Sequence, residues 1–299
     1  MLKLRVGVLL AVLLGGVASA YVVTRPAPVT ATPRWVEDAD ATPTPSALPS
    51  AMPSATPSAV ISPTPTVKLP LLRPGPVTIN TPGFWSWALI NTRTGQVSGA
   101  KNLAATSTTA SMVKAWLAAD YLRRAAEQGV TPDTARINEL SIMIRDSDNN
   151  AAQDIYELLG QTASIKRLIS KCKLTDSSAV SGSWSRTTVS ARDTARMAAC
   201  IGDGRAAGPK WTSWLLNEMR HVRGTGDFGI RKALPAEIAK QTAIKNGWLL
   251  RDTDGLWHMA CLAIGAGWTL GVLVRYPGSL GFEHGANICK SVAAQLMHG

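Results

Sequence analysis

The sequence predicts an α/β (α+β) fold: a five-stranded antiparallel sheet flanked by helices, joined to an all-helical lobe and preceded by a disordered Pro/Thr/Ser linker. Three observations predict it. Two strand-like runs open the globular part at Phe84. A helical block then runs from Ser111 to His221. Three further strand-like runs and a closing helix end the chain. Strands at both ends of a domain with helices between them join in one sheet, and a cleft between sheet and lobe is then the natural site.

Ahead of the globular part, Lys3 and Arg5 precede an uncharged apolar run from Val6 to Val23. Residues 1–23 therefore read as a signal peptide or a single membrane anchor. Ala18-Ser19-Ala20 offers a cleavage site, and residues 6–23 are also long enough to cross a bilayer. Either outcome puts the remainder outside the cytoplasm, secreted or anchored and facing the cell wall. No Cys lies near this run, so a lipid anchor on cysteine is not expected. Residues 24–82 are rich in Pro, Thr, Ser and Ala, with repeats such as Thr42-Pro43-Thr44-Pro45-Ser46. Such a stretch has too little apolar bulk for a core and reads as a disordered spacer. The folded domain is expected over 83–299.

Within it, Phe84 to Ile90 reads as a strand, Asn91 to Gly95 as a turn and Gln96 to Gly99 as the returning strand. A helix containing Ser111 stops near Gln128-Gly129. Thr131, as cap, and Pro132, as first helical residue, start another that runs to about Ile144. Arg145 to Asn150 is a polar loop. Helices follow through Ile155–Leu159 and over 163–172, 189–202 and 209–221. The strands Ala243–Leu249, Leu256–Ile264 and Trp268–Tyr276 are joined by Arg251-Asp252-Thr253-Asp254-Gly255 and Gly265-Ala266-Gly267. Gly281 to His298 closes the chain as a helix.

Composition narrows the classes. With 299 residues, 45% hydrophobic and 17% charged, the chain can build one large domain plus an accessory segment. The net charge of +11 fits a nucleic acid, a membrane face or an anionic wall polymer. No basic cluster interleaves with aromatics, so nucleic acid is not an expected partner. His221, His258, His284 and His298 lack ligand spacing, so neither a metal nor another cofactor is expected. His258, on the strand after Lys245, reads as a core or edge histidine.

The chemistry centres on Thr109-Ala110-Ser111-Met112-Val113-Lys114-Ala115-Trp116-Leu117. From Thr106 to Ala119 Lys114 is the only charged side chain. Burial in an apolar helix lowers a lysine's proton affinity. Ser111 lies three residues earlier, on the same helical face, as a nucleophile beside its base. Alone, the pair reads as a helix start with a snorkelling lysine. Ser147-Asp148-Asn149 and Lys245-Asn246-Gly247 follow in order. These also have plain readings, an Asx turn capping a helix and a surface strand residue.

Taken together, the three motifs resemble the serine β-lactamase and penicillin-binding-protein superfamily, closest to class A β-lactamases. The resemblance covers roughly 84–298 and includes Trp87-Ala88-Leu89-Ile90-Asn91, the stretch Met143–Ala152 and Gly229–Pro235. It implies Ser111 as acyl-forming nucleophile, Lys114 as base or proton relay, and Ser147 passing a proton between Lys245 and the leaving nitrogen. Asn149 would orient Lys114 and the substrate amide, with Asn246 and Gly247 binding substrate. The backbone N–H groups of Ser111 and Trp248 would form the oxyanion hole.

Two departures limit the match. Asn246 stands where the family usually has Thr or Ser. No E-x-x-L-N segment is present: between Gly160 and Asp193 the only acidic residue is Asp176, and Glu157 reads as exposed. The first expectation is therefore an exported serine hydrolase that forms an acyl-enzyme on Ser111 with a β-lactam or related amide or ester and turns β-lactams over weakly. The second is a D-Ala-D-Ala carboxypeptidase or related peptidase acting on peptidoglycan stem peptide. The third is a non-catalytic wall-binding or sensor domain. A monomer is expected. The cysteines suit an exported setting, with Cys172–Cys200 inside the helical lobe and Cys261–Cys289 tying a strand to the last helix; four free thiols are the alternative.

Overall fold

A computed structural model of the protein describes residues 71–298. The expected export segment and residues 24–70 of the expected spacer lie outside the described residues. Residues 71–82, which composition assigns to the spacer, pack on the domain. Leu72 is buried, the Arg73 N–H donates to the Leu296 carbonyl (2.9 Å), and the Thr78 N–H donates to Gln295 Oε1 (2.9 Å).

The sheet has five antiparallel strands. β1 (Phe84–Asn91) and β2 (Val97–Gly99) come from the start of the domain; β5 (Ala243–Arg251), β6 (Leu256–Gly265) and β7 (Trp268–Pro277) come from its end. The spatial order is β2-β1-β7-β6-β5, and β1 pairs with β7 from Phe84↔Arg275 to Asn91↔Trp268. The central strands are buried on both faces and read as continuous apolar runs such as Met259–Ala263. β5 is an edge strand, which leaves one side of its backbone free of the ladder.

Helices fill the space between the two groups of strands. They are α1 (Lys114–Glu127), α2 (Thr134–Arg145), α3 (Asn149–Leu158), α4 (Thr162–Lys171), α5 (Ala191–Gly202), α6 (Pro209–Arg220) and α7 (Ala236–Gln241), with α8 (Gly281–Leu296) closing the chain. α5 packs on β1 and β7, while α8 packs on β6 and β7. α2 starts later than the Thr131-Pro132 reading, because Asp133 is the cap and accepts from the Arg136 N–H (2.8 Å). A short sheet of β3 (Thr106–Thr108) and β4 (Thr188–Ser190), and α7, carry too few residues to show a period in the sequence.

α1 is the buried axis of the lobe. Trp116, Leu117, Ala118 and Ala119 are wholly buried, and the alanines admit close neighbours. Trp116 Nε1 donates to the Ser164 carbonyl (3.0 Å), and buried Asp120 accepts from Ser164 Oγ (2.7 Å) and Arg167 Nη2 (2.6 Å), which ties α1 to α4. Both disulfides form as read from the cysteines: Cys172–Cys200 joins the end of α4 to α5, and Cys261–Cys289 joins β6 to α8. Among the described residues no helix is long and apolar enough to cross a membrane.

Candidate active site

Ser111 sits in a 3-10 turn, Ala110–Val113, that leads into α1. The turn is held on three sides. The Thr109 N–H donates to the Thr187 carbonyl (2.9 Å), and the Met112 N–H closes on the Thr109 carbonyl (3.0 Å). On the third side Gly247 of β5 meets it directly. A Cβ on Gly247 would lie 2.1 Å from the Thr109 carbonyl oxygen and 2.7 Å from the Ser111 nitrogen. The space beside the bare backbone at Gly247 is therefore filled by the Ser111 turn. The contact puts Trp248, the next residue, beside the nucleophile's own peptide.

Lys114, the first residue of α1, is wholly buried. Its Nζ donates to the Ser147 carbonyl (2.5 Å) and to Asn149 Oδ1 (2.7 Å), with Ser147 Oγ at 3.4 Å. With those acceptors on one loop, the ammonium turns toward Ser147 and Asn149. Ser111 Oγ, half-buried, makes no hydrogen bond with Lys114 in the described structure. Lys245, also wholly buried, donates from Nζ to Ser147 Oγ (2.8 Å). Ser147 itself has φ of 61°, a left-handed conformation that a non-glycine residue adopts at a cost. Asp148 fixes it there by capping α3 through the Ala151 N–H (2.8 Å). The helix cap and the meeting of the lysines thus occur in one tripeptide.

Burial dominates the electrostatics. It lowers Lys114 from 10.5 to about 7, against a smaller opposing pull from Asp148. Burial also carries Lys245 well below the usual lysine range, and the charge of Lys114 pushes the same way. The Ser147 hydroxyl can pass a proton either way between the two lysines.

Asn246 does not offer a donor to a ligand, contrary to its expected role in substrate binding. It is buried, and Nδ2 donates to the carbonyls of Gly226 (3.1 Å) and Phe228 (2.9 Å). Side chains alternate along a strand, so Asn246 points away from the face that carries Lys245. It ties β5 to the 226–228 segment. Trp248 joins an aromatic cluster with Phe228 and Phe282, its ring centroid 5.7 Å from that of Phe228.

The sequence alone did not single out Trp184. It lies in the 3-10 turn Trp184–Arg186, and Lys114 Nζ stands 4.8 Å from its ring centroid. Trp184 Nε1 is fixed by Gln153 Oε1 (3.1 Å). Its signal was available: it is the only aromatic residue in the Ser/Thr/Gly-rich stretch 175–188. The loop's carboxylate is at its base. Asp176 accepts from Ser190 Oγ (2.7 Å) and Arg192 Nη2 (2.8 Å). Burial raises its proton affinity, but the hydrogen bonds from Arg192, Ser190 and Thr175 outweigh that and hold it below the usual carboxylate range. Glu157 is exposed and accepts from Gln153 Nε2 (2.8 Å).

Comparison with known proteins agrees with this fold. Residues 137–254 match the model of the Beta-lactamase enzyme family. The "Putative lipoprotein LppW" of Mycobacterium tuberculosis is 28% identical over 188 residues, 60% of this chain. The aligned region spans 59% of that relative's length. The TLA-1 extended-spectrum β-lactamase superposes with a TM-score of 0.58 at 16% identity, over 73% of this chain and 94% of that one. A β-lactamase from Chitinophaga pinensis gives 0.57 at 18% identity, over 73% and 93%. The resemblance to the serine β-lactamase and penicillin-binding-protein superfamily therefore extends to the whole fold.

Proposed function

We propose that this β-lactamase-like domain is an extracytoplasmic serine hydrolase, acylated on Ser111 by a β-lactam or related amide or ester and slow to release the acyl group. The observation that carries the reading is the meeting of two buried lysines, Lys114 and Lys245, on the Ser147 hydroxyl. Structural lysines are seldom buried, and a buried pair around one hydroxyl makes a proton relay.

In this reading neutral Lys114 takes the Ser111 proton as Oγ attacks the carbonyl carbon. The N–H groups of Ser111 and Trp248 receive the oxyanion. Ser147 hands a proton to the leaving nitrogen and regains one from Lys114, which holds the proton taken from Ser111, while Lys245 orients the Ser147 hydroxyl. Asn149 holds Lys114 in register. Asn246 and Gly247 act by construction, one bracing β5 and the other seating the Ser111 turn on it.

Hydrolysis of the acyl-enzyme needs a water activated on the far side of the ester. Trp184 stands against Lys114, Asp176 is committed to Arg192 and Glu157 is exposed. The acyl-enzyme is accordingly long-lived. The same absence favours a D-Ala-D-Ala peptidase as the second reading. The two disulfides, and the lipoprotein name of the mycobacterial relative, support a location outside the cytoplasm.

Intact mass after penicillin treatment, run beside hydrolysis of a chromogenic cephalosporin, tests the proposal. A stable adduct on the wild type, absent from Ser111→Ala, with slow cephalosporin turnover, is expected. Faster release from an acyl-D-Ala-D-Ala peptide would select the peptidase reading. The absence of an adduct with every β-lactam and acyl-peptide would overturn both.

A further inference from the structure

β5 carries a second cation beyond the site, at Arg251. Its Nε and Nη2 are buried without a hydrogen-bond partner among the described residues. Such donors cost free energy unless something accepts from them. Burial and the nearby charge of Arg186 both weaken Arg251's hold on its proton, while Asp254 opposes them. Asp254 is committed elsewhere: Oδ2 meets His258 Nε2 (2.8 Å) and Oδ1 accepts from the Leu256 N–H (3.0 Å). Arg275, on β7 at the position paired with His258, lays its guanidinium over the Phe84 ring (4.6 Å to the centroid). Arg186 is exposed and forms no ion pair among the described residues. Arg251 thus faces a second cation, Arg186, and one carboxylate, Asp254, that is already engaged with His258.

The corner adjoins the candidate active site by three connections. Arg186 lies two residues after Trp184, whose ring covers Lys114. Thr108, three residues before Ser111, meets His258 Nδ1 (3.0 Å). Arg251 is on the same face of β5 as Gly247, which packs against the Ser111 turn. At the rise of a strand, Gly247 and Arg251 are about 13 Å apart, the reach of a substituted acyl chain. Direction follows from the relay. Lys245 and Ser147 serve the leaving nitrogen and lie on one side of Gly247, so Arg251, on the other side, faces the acyl portion.

We infer that Arg251 and Arg186 form a subsite for a carboxylate on the acyl side of the substrate, which makes acidic acyl amides the preferred substrate class. The inference rests on the proposed acylation of Ser111. A guanidinium fork matches a carboxylate bidentately, and the incoming anion would satisfy the orphaned N–H groups and separate the two cations.

Benzylpenicillin and α-carboxybenzylpenicillin differ by one acyl-side carboxylate and provide the test. Acylation efficiency is measured by intact mass for the wild type, Arg251→Gln and Arg186→Gln. The wild type is expected to favour the carboxylated compound about tenfold, the scale of one charged hydrogen bond. The ratio should fall to about one in Arg251→Gln. Equal efficiencies in the wild type, or a preference that survives in Arg251→Gln, would overturn the subsite. If neither compound acylates Ser111, the proposed reaction fails separately. The subsite is then read by calorimetric binding of the same two compounds to Ser111→Ala, with and without Arg251→Gln. A carboxylate-dependent gain lost with Arg251 sustains it, and equal affinities end it. Melting curves give a folding check, since replacing a guanidinium with unsatisfied donors should not lower Tm.

Discussion

The Trp184 ring lies across the ammonium of Lys114, with its centroid 4.8 Å from Nζ. An aromatic face favours the charged lysine by about 0.5–2 kcal/mol. The same ring keeps water away, which favours the neutral form. Burial is the largest cause of the lowering of Lys114 to about 7, and the Trp184 ring stands against the buried Nζ. Trp184→Ala should therefore raise the pH midpoint of Ser111 acylation, measured as adduct formation against pH. A lowered midpoint would show that the cation–π contact dominates.

Lys114 sets a pH dependence of its own. As the base it must be neutral, so acylation should rise with pH through about 7 and level off above it. Stability follows the same group in a defined window. Lys114 titrates near 7 when folded and near 10.5 when unfolded, so between those values the unfolded chain binds more protons. Stability from this group is therefore lowest at and below pH 7 and recovers as pH rises toward 10.5. Lys245, displaced in the same direction, adds to the slope. In Lys114→Met the rise of Tm between pH 7 and 9 should be shallower than in the wild type. An identical slope would remove Lys114 as its source.

Gly247→Ala tests whether β5 seats the nucleophile. The added Cβ would meet the Thr109 carbonyl oxygen at 2.1 Å and the Met112 and Ser111 nitrogens at 2.6 and 2.7 Å. These are backbone atoms with no rotamer to escape into, so the turn must move off the strand. Overpacking of this kind costs about 1–3 kcal/mol. A displacement near 1 Å at the nucleophile costs about a hundredfold in rate. Melting temperature and adduct formation measured together should show a modest loss of stability and a large loss of acylation. Retained acylation would mean that the Ser111 turn tolerates separation from β5.

Much of this was legible in the sequence, and the reasons are local. The apolar run around Lys114 showed a buried helix because α1 is surrounded by neighbours. The strands at both ends of the domain were legible because their apolar runs and turns are strong short-range signals. Ser147, Asn149 and Lys245 were found through motif order, which tracks the meeting of a loop and a strand on a helix. Asn246 was misread because residue type does not reveal the direction of a side chain in a strand flanked by backbone carbonyls. Trp184 and Arg251 were missed because their meaning depends on what lies opposite them in space. Leu72 was assigned to the spacer because a few packing residues cannot overcome the composition of the prolines around them.

Asp193 holds the base of the loop that carries Trp184. It is wholly buried near the start of α5, and its carboxylate accepts from the Thr175 N–H (3.1 Å), the Asp176 N–H (2.7 Å) and Ser177 Oγ (2.8 Å). Arg196 Nη1 supplies the countercharge (3.0 Å). These bonds fix the start of the loop whose far end carries Trp184. Asp193→Ala would leave two backbone donors without an acceptor, each costing about 1–3 kcal/mol. For a domain of this size each kcal/mol lowers Tm by about 2–4 °C. The variant should therefore melt measurably lower, with protease cleavage appearing first between residues 177 and 186. With its loop released at the base, Trp184 would be held by Gln153 alone, and the acylation midpoint should also move upward, as in Trp184→Ala. A loss of Tm without that movement would confine Asp193 to stability and separate the base of the loop from the Lys114 site.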